Sequence, residues 1–206
     1  MNAPSRFSRH NPEPAENPYL TKPEQAPVVD PGRQVRASRV SGPQPFVTVP
    51  DLVDALPARA VRAQASLWVV GVHGGAGVDT LTRLGTGWAG ICRAWPAYPD
   101  GALVDVVLAA RTHYAGLRAA QNAARQWAAG QVPHVRLHGL VLTADAPGKL
   151  PKPLAELAHR IGGGVPRVWV MPWDENTRRK GQAPAAAAYA EFAADLNTIL
   201  EGGPQR

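Results

Sequence analysis

The chain has 206 residues, a net charge of +6, 45% hydrophobic residues and a single cysteine. This length suffices for one domain with a buried core, and a lone cysteine excludes an internal disulfide framework, which favours a cytoplasmic location. No apolar run approaches the roughly 18–20 residues that span a bilayer, so we expect no transmembrane segment.

The positive charge is spread thinly along the chain. Residues 1–50 hold six Lys and Arg against four Asp and Glu, and the remainder holds sixteen against twelve. A surface that binds polyanions requires clustered basic residues, so this distribution favours a general role in solubility. Nucleic-acid binding through the basic residues, including Arg178-Arg179-Lys180, is the alternative.

Proline marks the first part of the chain as different from the rest. Residues 1–50 contain ten of the 21 prolines and few residues that could build a core, which predicts a disordered tail or a partner-binding arm. Residues 51–65 are predicted as a lead-in, a short helix or irregular segment interrupted by Pro57. The folded domain is predicted to cover residues 66–201.

Within that domain, apolar segments alternate with helical ones. Continuous apolar runs predict buried strands at 67–72, 104–110, 135–142 and 165–171. Helices are predicted at 78–84, 115–129, 153–161 and 183–200, with loops at 85–102 and around 178–180. This alternation predicts an α/β fold, a three-layer arrangement with a mostly parallel sheet.

Ligands of such folds bind beyond the carboxyl ends of the strands. Four segments follow the predicted strands, at 73–80, 111–114, 143–148 and 172–175. They bring His73, Arg111, Asp145 and Trp173 to the same edge of the sheet. We therefore predict one cleft there.

The first of these segments is a glycine-rich turn between a strand and a helix. Gly71, Gly74 and Gly77 have a spacing related to the dinucleotide fingerprint, which also needs an acidic residue about 20 positions later to hold the ribose. Residues 85–99 contain no Asp or Glu. The turn therefore favours a phosphate-binding loop over a dinucleotide site.

The sequence His-Gly-Gly-Ala-Gly-Val-Asp-Thr-Leu at 73–81 resembles the deviant Walker A loop of ParA/MinD-type ATPases, Lys-Gly-Gly-x-Gly-Lys-Thr-Thr. Glycines 74, 75 and 77 and Thr80 match that loop. His73 stands at the signature lysine, Val78 at the phosphate-binding lysine and Asp79 at the Mg²⁺-binding Ser/Thr. The resemblance implies a shortened P-loop NTPase-like fold in which ATP or another nucleotide binds with Mg²⁺, Asp79 being the candidate metal ligand.

The chain also resembles an actinobacterial family of P-loop-like proteins of unknown function. The shared segments are HGGAG…TL, ARTH…GLRAAQ.AAR.WA.G, GLVL.ADAPG.LPKPL and GGVPRVW..PW. This resemblance implies a degenerate relative of the ParA/MinD ATPases that is linked to mobile-element, conjugation or partition machinery, with a protein partner or a second copy of the chain as its binding partner.

The missing lysines decide which activity is expected. P-loop catalysis depends on cations and Mg²⁺ around the phosphates, and Val78 removes one such cation. Backbone N–H groups can still receive an anion. We therefore expect a non-hydrolysing binding or regulatory protein, with His73, Gly74, Gly75, Gly77, Thr80, Arg111, Asp145 and Trp173 as ligand contacts. An active NTPase that takes its cation from a partner is the alternative.

Other residues have a structural interpretation that is at least as strong. Arg111-Thr112-His113 follows a predicted strand, where it either contacts an anion in the cleft or caps the following helix through Thr112. Asp145 is predicted to form a turn before Pro147 unless it contacts a base or a metal. Trp173 closes the predicted cleft, where it either packs at the rim or stacks on a ligand. Cys92 is predicted to be a small buried side chain.

Overall fold

The computed structural model describes residues 36–37 and 40–202. Most of the predicted tail, residues 1–35 and 38–39, lies outside the described residues. The elements in chain order are β1 (Arg36–Ala37), β2 (Ala58–Ala60), β3 (Leu67–Gly71), α1 (Val78–Thr82), β4 (Trp88–Cys92), β5 (Trp95–Ala97), β6 (Val104–Arg111), α2 (Tyr114–Ala128), β7 (Val135–Thr143), α3 (Lys152–Gly162), β8 (Arg167–Met171), α4 (Glu175–Lys180) and α5 (Ala187–Glu201).

The main sheet has the order β1-β8-β7-β6-β3-β4. Its five longer strands are all parallel, and β1 pairs antiparallel with β8 at one edge. The prediction of an α/β fold with a mostly parallel sheet is confirmed. The strand order reverses between β3 and β6, since β4 lies on one side of this pair and β7 on the other. Such a reversal is where open α/β sheets bind ligands.

The prediction of loop structure at 85–102 is wrong. This segment contains β4, which pairs with β3, and β5, which pairs in parallel with β2 in a second, two-stranded sheet. Glycine lowers the strand signal in β4, but packing requires it there. A Cβ atom at Gly90 would lie 2.4 Å from the side chain of Val78, so only glycine lets α1 pack this closely on the sheet.

The polar segment around 178–180 is also a helix and not a loop. The Asp174 carboxylate accepts a hydrogen bond of 2.7 Å from the Thr177 N–H, which caps the N-terminus of α4. A capping aspartate of this kind supports a short helix that its charged sequence alone does not indicate. The following helix, α5, begins at Ala187, four residues later than predicted.

Alternate residues of the strands face two separate cores. Trp68 and Val70 of β3 belong to the core under α2 and α3, whereas Leu67 and Val69 belong to the core under α1 and α5. The sheet is therefore covered by helices on both faces, as the continuous apolar strands indicate. No helix among the described residues is long and apolar enough to cross a bilayer.

The last helix is fixed to the sheet by polar and aromatic contacts. Asp195 accepts hydrogen bonds from Arg167 at 3.0 and 3.2 Å and from the Trp169 indole at 2.9 Å. One turn earlier, the Phe192 ring makes an edge contact with Trp169, their centroids 5.3 Å apart. These contacts set the rotation of α5 and thereby position Tyr189, which lies on the same helical face.

Candidate functional site

The four segments that follow the parallel strands meet around one cavity of about 230 Å³, here called the cleft. Each segment contributes residues to its lining, and α4 and α5 complete it. The lining residues are Gly77, Thr80, Leu81, Arg111, Thr143, Ala144, Pro172, Trp173, Asp174, Thr177, Arg178 and Tyr189. The parallel sheet thus brings together residues that are separated by more than 100 positions in the sequence.

The glycine turn borders the cleft with unpaired backbone donors. Gly75 and Gly77 have φ angles of 74° and 91°, while Ala76 between them does not have a positive φ. Alternation of this kind turns successive N–H groups toward one side and forms an anion-binding concavity. In the part of the chain that the structure describes, no protein acceptor takes the N–H groups of residues 75, 76 and 77.

Arg111 joins the glycine turn to the loop after β7. Its Nε donates to the carbonyl of Gly75 at 2.8 Å, and its Nη1 donates to the carbonyl of Ala144 at 3.2 Å. Its Nη2 has no acceptor among the described residues. The guanidinium therefore holds two walls of the cleft together and still places a fixed positive charge in its lining.

His73 does not line the cleft, because both of its ring nitrogens bond to the backbone. Nε2 accepts a hydrogen bond of 2.9 Å from the Arg111 N–H, and Nδ1 lies 2.8 Å from the Gly74 carbonyl, to which it donates. Burial lowers the pKa of His73, with contributions from His113 and Arg111, so the neutral ring is favoured. His73 thus ties the end of β3 to the end of β6 and brings no charge to the position of the signature lysine.

Asp174 and Arg178 give the cleft one further charge of each sign. Hydrogen bonding to the Thr177 N–H holds the pKa of Asp174 below its usual range, so this carboxylate is charged at neutral pH. The Arg178 guanidinium lies 5.7 Å from the centre of the Trp173 ring. Among the described residues it forms no ion pair, unlike its neighbour Arg179, which pairs with Glu175.

Tyr189 contributes a hydroxyl group to the cleft. The residue is only 4% exposed, and in the described part of the chain its hydroxyl has no hydrogen-bond partner. Burial raises the pKa of Tyr189, as does the negative charge of Asp174, while Arg111 acts in the opposite direction. The phenol therefore stays protonated and offers one donor to whatever occupies the cavity.

Val78, which matches the phosphate-binding lysine only through the resemblance to ParA/MinD-type loops, points into the core. It is 8% exposed, and its methyl groups fill the space beside Gly71 and Gly90. A lysine at this position would have to leave a packed apolar contact, so the substitution affects packing as well as charge. Arg111 and Arg178 are the cations that this cleft has.

Several predicted contacts lie outside the cleft lining. Asp79 is exposed, and no group of three His, Cys, Asp or Glu side chains among the described residues could hold a metal ion. Asp145 is also exposed, and its N–H donates to the Thr112 hydroxyl at 3.1 Å. Gly74 is exposed at the outer end of the turn. Gly77, Thr80, Arg111 and Trp173 are the predicted contacts that do line the cavity.

Two structural predictions near the cleft are wrong. The cap of α2 is His113, whose Nδ1 accepts from the Gly116 N–H at 3.0 Å, and Thr112 instead bonds to the loop after β7. Cys92 is exposed because it ends β4, the edge strand of the sheet, on a residue that faces away from the core.

The cleft also contains residues that the sequence pattern did not single out as ligand contacts. The pattern indicates no ligand contact for Tyr189, Thr143 or Thr177, and it predicts a solvated loop for Arg178. A usable signal exists for Tyr189 alone: a tyrosine in an alanine-rich helix needs a place for its hydroxyl group at the margin of the core. The other three depend on where α4 and β7 end, which spacing does not define.

Comparison with protein families assigns the chain to a family, but that family has no known activity. Residues 65–191 match the model of a family of unknown function, DUF6668, and the chain belongs to this family. No curated protein and no solved structure matches the chain.

Proposed function

We propose that this member of a family of unknown function binds a phosphate-type anion in the cleft, such as the phosphate of a nucleotide, and does not hydrolyse it. The observation that carries the proposal is the Tyr189 hydroxyl, which has no partner among the described residues and shares the cavity with Arg111 and Arg178. An anion held between two guanidinium groups would accept a hydrogen bond from this hydroxyl, and hydrogen bonds to charged groups are stronger than those between neutral groups.

Charge and size favour a single phosphate group. Two arginines and the charged Asp174 line the cleft, which leaves a net charge of +1. The volume of about 230 Å³ is smaller than the roughly 300–1,000 Å³ typical of sites that enclose a whole small-molecule ligand. A nucleotide bound here would therefore insert one phosphate and leave its remainder outside.

Binding without hydrolysis follows from what surrounds the glycine turn. Catalysis at a P-loop needs a lysine beside the phosphates and a bound Mg²⁺ ion. Here the lysine position holds the packed Val78, while Asp79 is exposed. From the resemblance of residues 73–81 to a P-loop, we extend the proposal to an anion-responsive binding or regulatory protein. The link of this protein to mobile-element, conjugation or partition machinery stays a prediction.

Calorimetric titration with inorganic phosphate, pyrophosphate, ADP and ATP, each with and without Mg²⁺, tests the proposal. We expect phosphate-bearing ligands to bind and ATP to remain intact over hours. Tyr189→Phe and Arg178→Ala should each weaken binding about tenfold, since a charge-assisted hydrogen bond is worth about 1.5–3 kcal/mol. Arg179→Ala is the matched control, because Arg179 pairs with Glu175 and does not line the cleft.

The outcomes are distinct. Absence of binding by all four ligands would show that the cleft is not an anion site. Binding that is unchanged in both Tyr189→Phe and Arg178→Ala would place the anion elsewhere on the protein. Release of ADP from ATP that depends on Asp79 would favour the NTPase alternative.

A further inference from the structure

A second cavity of about 510 Å³ lies beside α2, here called the α2 cavity. Its walls are the turn at residues 53–57, the end of β3 and the first half of α2, and it shares no lining residue with the cleft. Those of its residues that could bind a ligand are Arg93, Tyr114, Arg118 and Asn122. Its volume falls within the roughly 300–1,000 Å³ of sites that enclose small molecules.

Two buried amides on one face of α2 differ in their bonding. Gln126 accepts hydrogen bonds from the Leu56 N–H at 3.0 Å and the Trp95 indole at 2.9 Å, and it donates to the Leu56 carbonyl at 2.9 Å. This fully bonded side chain fastens the wall at residues 53–57 to the helix. Asn122, one turn earlier on the same face, lines the cavity that this wall encloses.

The Asn122 amide has no hydrogen-bond partner in the part of the chain that the structure describes. The residue is 7% exposed, and its amide remains accessible from the cavity, where water or a ligand can bond to it. A ligand that pairs with both the donor and the acceptor of Asn122 would complete this site.

The rim supplies positive charge and an aromatic ring. Arg93 and Arg118 line the cavity, and Asp54 is the one carboxylate among its described lining residues, so the net charge is +1. Arg93 is fixed at the end of β4 by its N–H, which donates to the Gly71 carbonyl at 2.7 Å. Tyr114, which also lines the cavity, is 64% exposed, so its ring is accessible for a planar group to stack on.

We propose that the α2 cavity is a binding site for a nucleoside monophosphate, separate from the cleft. Asparagine forms paired hydrogen bonds with the edge of a nucleobase, because its amide presents a donor next to an acceptor. Tyrosine rings stack on bases without regard to their sequence, and arginine guanidinium groups bind phosphate. The cavity combines all three groups in a volume that holds a base and a sugar.

Calorimetric titration with AMP, GMP, CMP and UMP tests this site, with ribose 5-phosphate as the ligand that lacks a base. We expect at least one nucleoside monophosphate to bind at least tenfold more tightly than ribose 5-phosphate. Asn122→Leu removes the amide and keeps a side chain of similar size, and it should weaken that binding about tenfold. Thermal melting of the same variant establishes that it is folded.

The cleft variant Arg178→Ala separates this proposal from the anion site. It should leave nucleoside monophosphate binding at the α2 cavity unchanged, because Arg178 does not line that cavity. Binding that is lost in Arg178→Ala but kept in Asn122→Leu would place the nucleotide in the cleft and overturn the proposal. Equal affinity for ribose 5-phosphate, or no binding of any of the four nucleotides, would overturn it as well.

Discussion

The cleft and the α2 cavity both border the loop that follows β3, yet their polar groups are used differently. In the cleft, Arg111 and Asp174 already bond to backbone groups and hold neighbouring loops in place. In the α2 cavity, that task falls to Gln126, which lies behind the lining, and Asn122 is left without a partner among the described residues. The cleft is thus partly structural, whereas the α2 cavity is held open by residues outside it.

This difference decides whether the effects of a substitution on folding stability and on ligand affinity can be measured separately in each cavity. Where one side chain both braces a loop and faces the cavity, a substitution affects folding and ligand affinity together. Where bracing and lining belong to different residues, the two effects can be measured apart. His73 stands between the two regions, since it lines the α2 cavity and bonds to the backbone of Arg111.

The largest expected effect is at Gln126. Gln126→Leu leaves the Leu56 N–H, the Leu56 carbonyl and the Trp95 indole without their partner. Each buried group that loses its hydrogen bond costs about 1–3 kcal/mol, so we expect the free energy of unfolding to fall by about 4 kcal/mol. Urea denaturation followed by tryptophan fluorescence measures it.

Gln121 provides the control for this substitution. It lies on the same helix and bonds only to Arg118, at 2.6 Å on the exposed surface. Gln121→Leu should therefore change the free energy of unfolding by less than about 0.5 kcal/mol. Similar losses in both variants would mean that the bracing of residues 53–57 by Gln126 is not what stabilises this wall.

A smaller but still substantial effect is expected at Arg111. Arg111→Met removes the bonds to the Gly75 and Ala144 carbonyls while keeping much of the side-chain length. Because Ala144 lines the cavity and Gly75 is exposed, both carbonyl groups can bond to water, and we expect a loss of about 2 kcal/mol in the free energy of unfolding. Phosphate binding should be lost in the same variant. A variant as stable as the wild type would show that the cleft is not braced by this residue.

Much of the fold follows from sequence pattern, and the exceptions have physical causes. The apolar runs that became β3, β6, β7 and β8 are continuous because both faces of each strand are covered. The strand β4 was missed because its sequence, Trp-Ala-Gly-Ile-Cys, contains a glycine that close packing of Val78 demands. Such a requirement arises between elements and leaves no periodic signal in the strand itself.

The sequence predicts the position of the candidate site in the fold better than it predicts the residues that form it. Parallel strands end at one edge of the sheet, so the four loop segments could be brought together from topology alone. Which residues of these loops line the cleft depends on their hydrogen bonds. His73 bonds to the backbone and does not line the cleft, whereas Arg111 does. Tyr189 and Asn122 come from helix faces, where a buried polar residue looks like part of an ordinary amphipathic pattern.

The connection between the two regions should depend on pH through His73. Its pKa is lowered in the folded protein, so the unfolded chain binds a proton first as the pH falls below about 6.5. The stability that the neutral ring contributes is complete above that pH and is lost progressively below it. We expect the free energy of unfolding to fall less steeply between pH 7 and 5 in His73→Gln than in the wild type, as measured by urea denaturation.

Parallel curves for His73→Gln and the wild type would contradict the assignment of a neutral, backbone-bonded ring to His73.

The smallest expected change in stability is at Asn122, and it is the most informative about the comparison. Asn122→Leu removes an amide that is unpaired among the described residues and replaces it with an apolar group of similar size. The free energy of unfolding should therefore change by less than about 1 kcal/mol, because no hydrogen bond to a described residue is broken. Urea denaturation beside Gln126→Leu gives the contrast directly. A loss as large as that of Gln126→Leu would mean that Asn122 also braces the fold, and the division between bracing and lining in the α2 cavity would not hold.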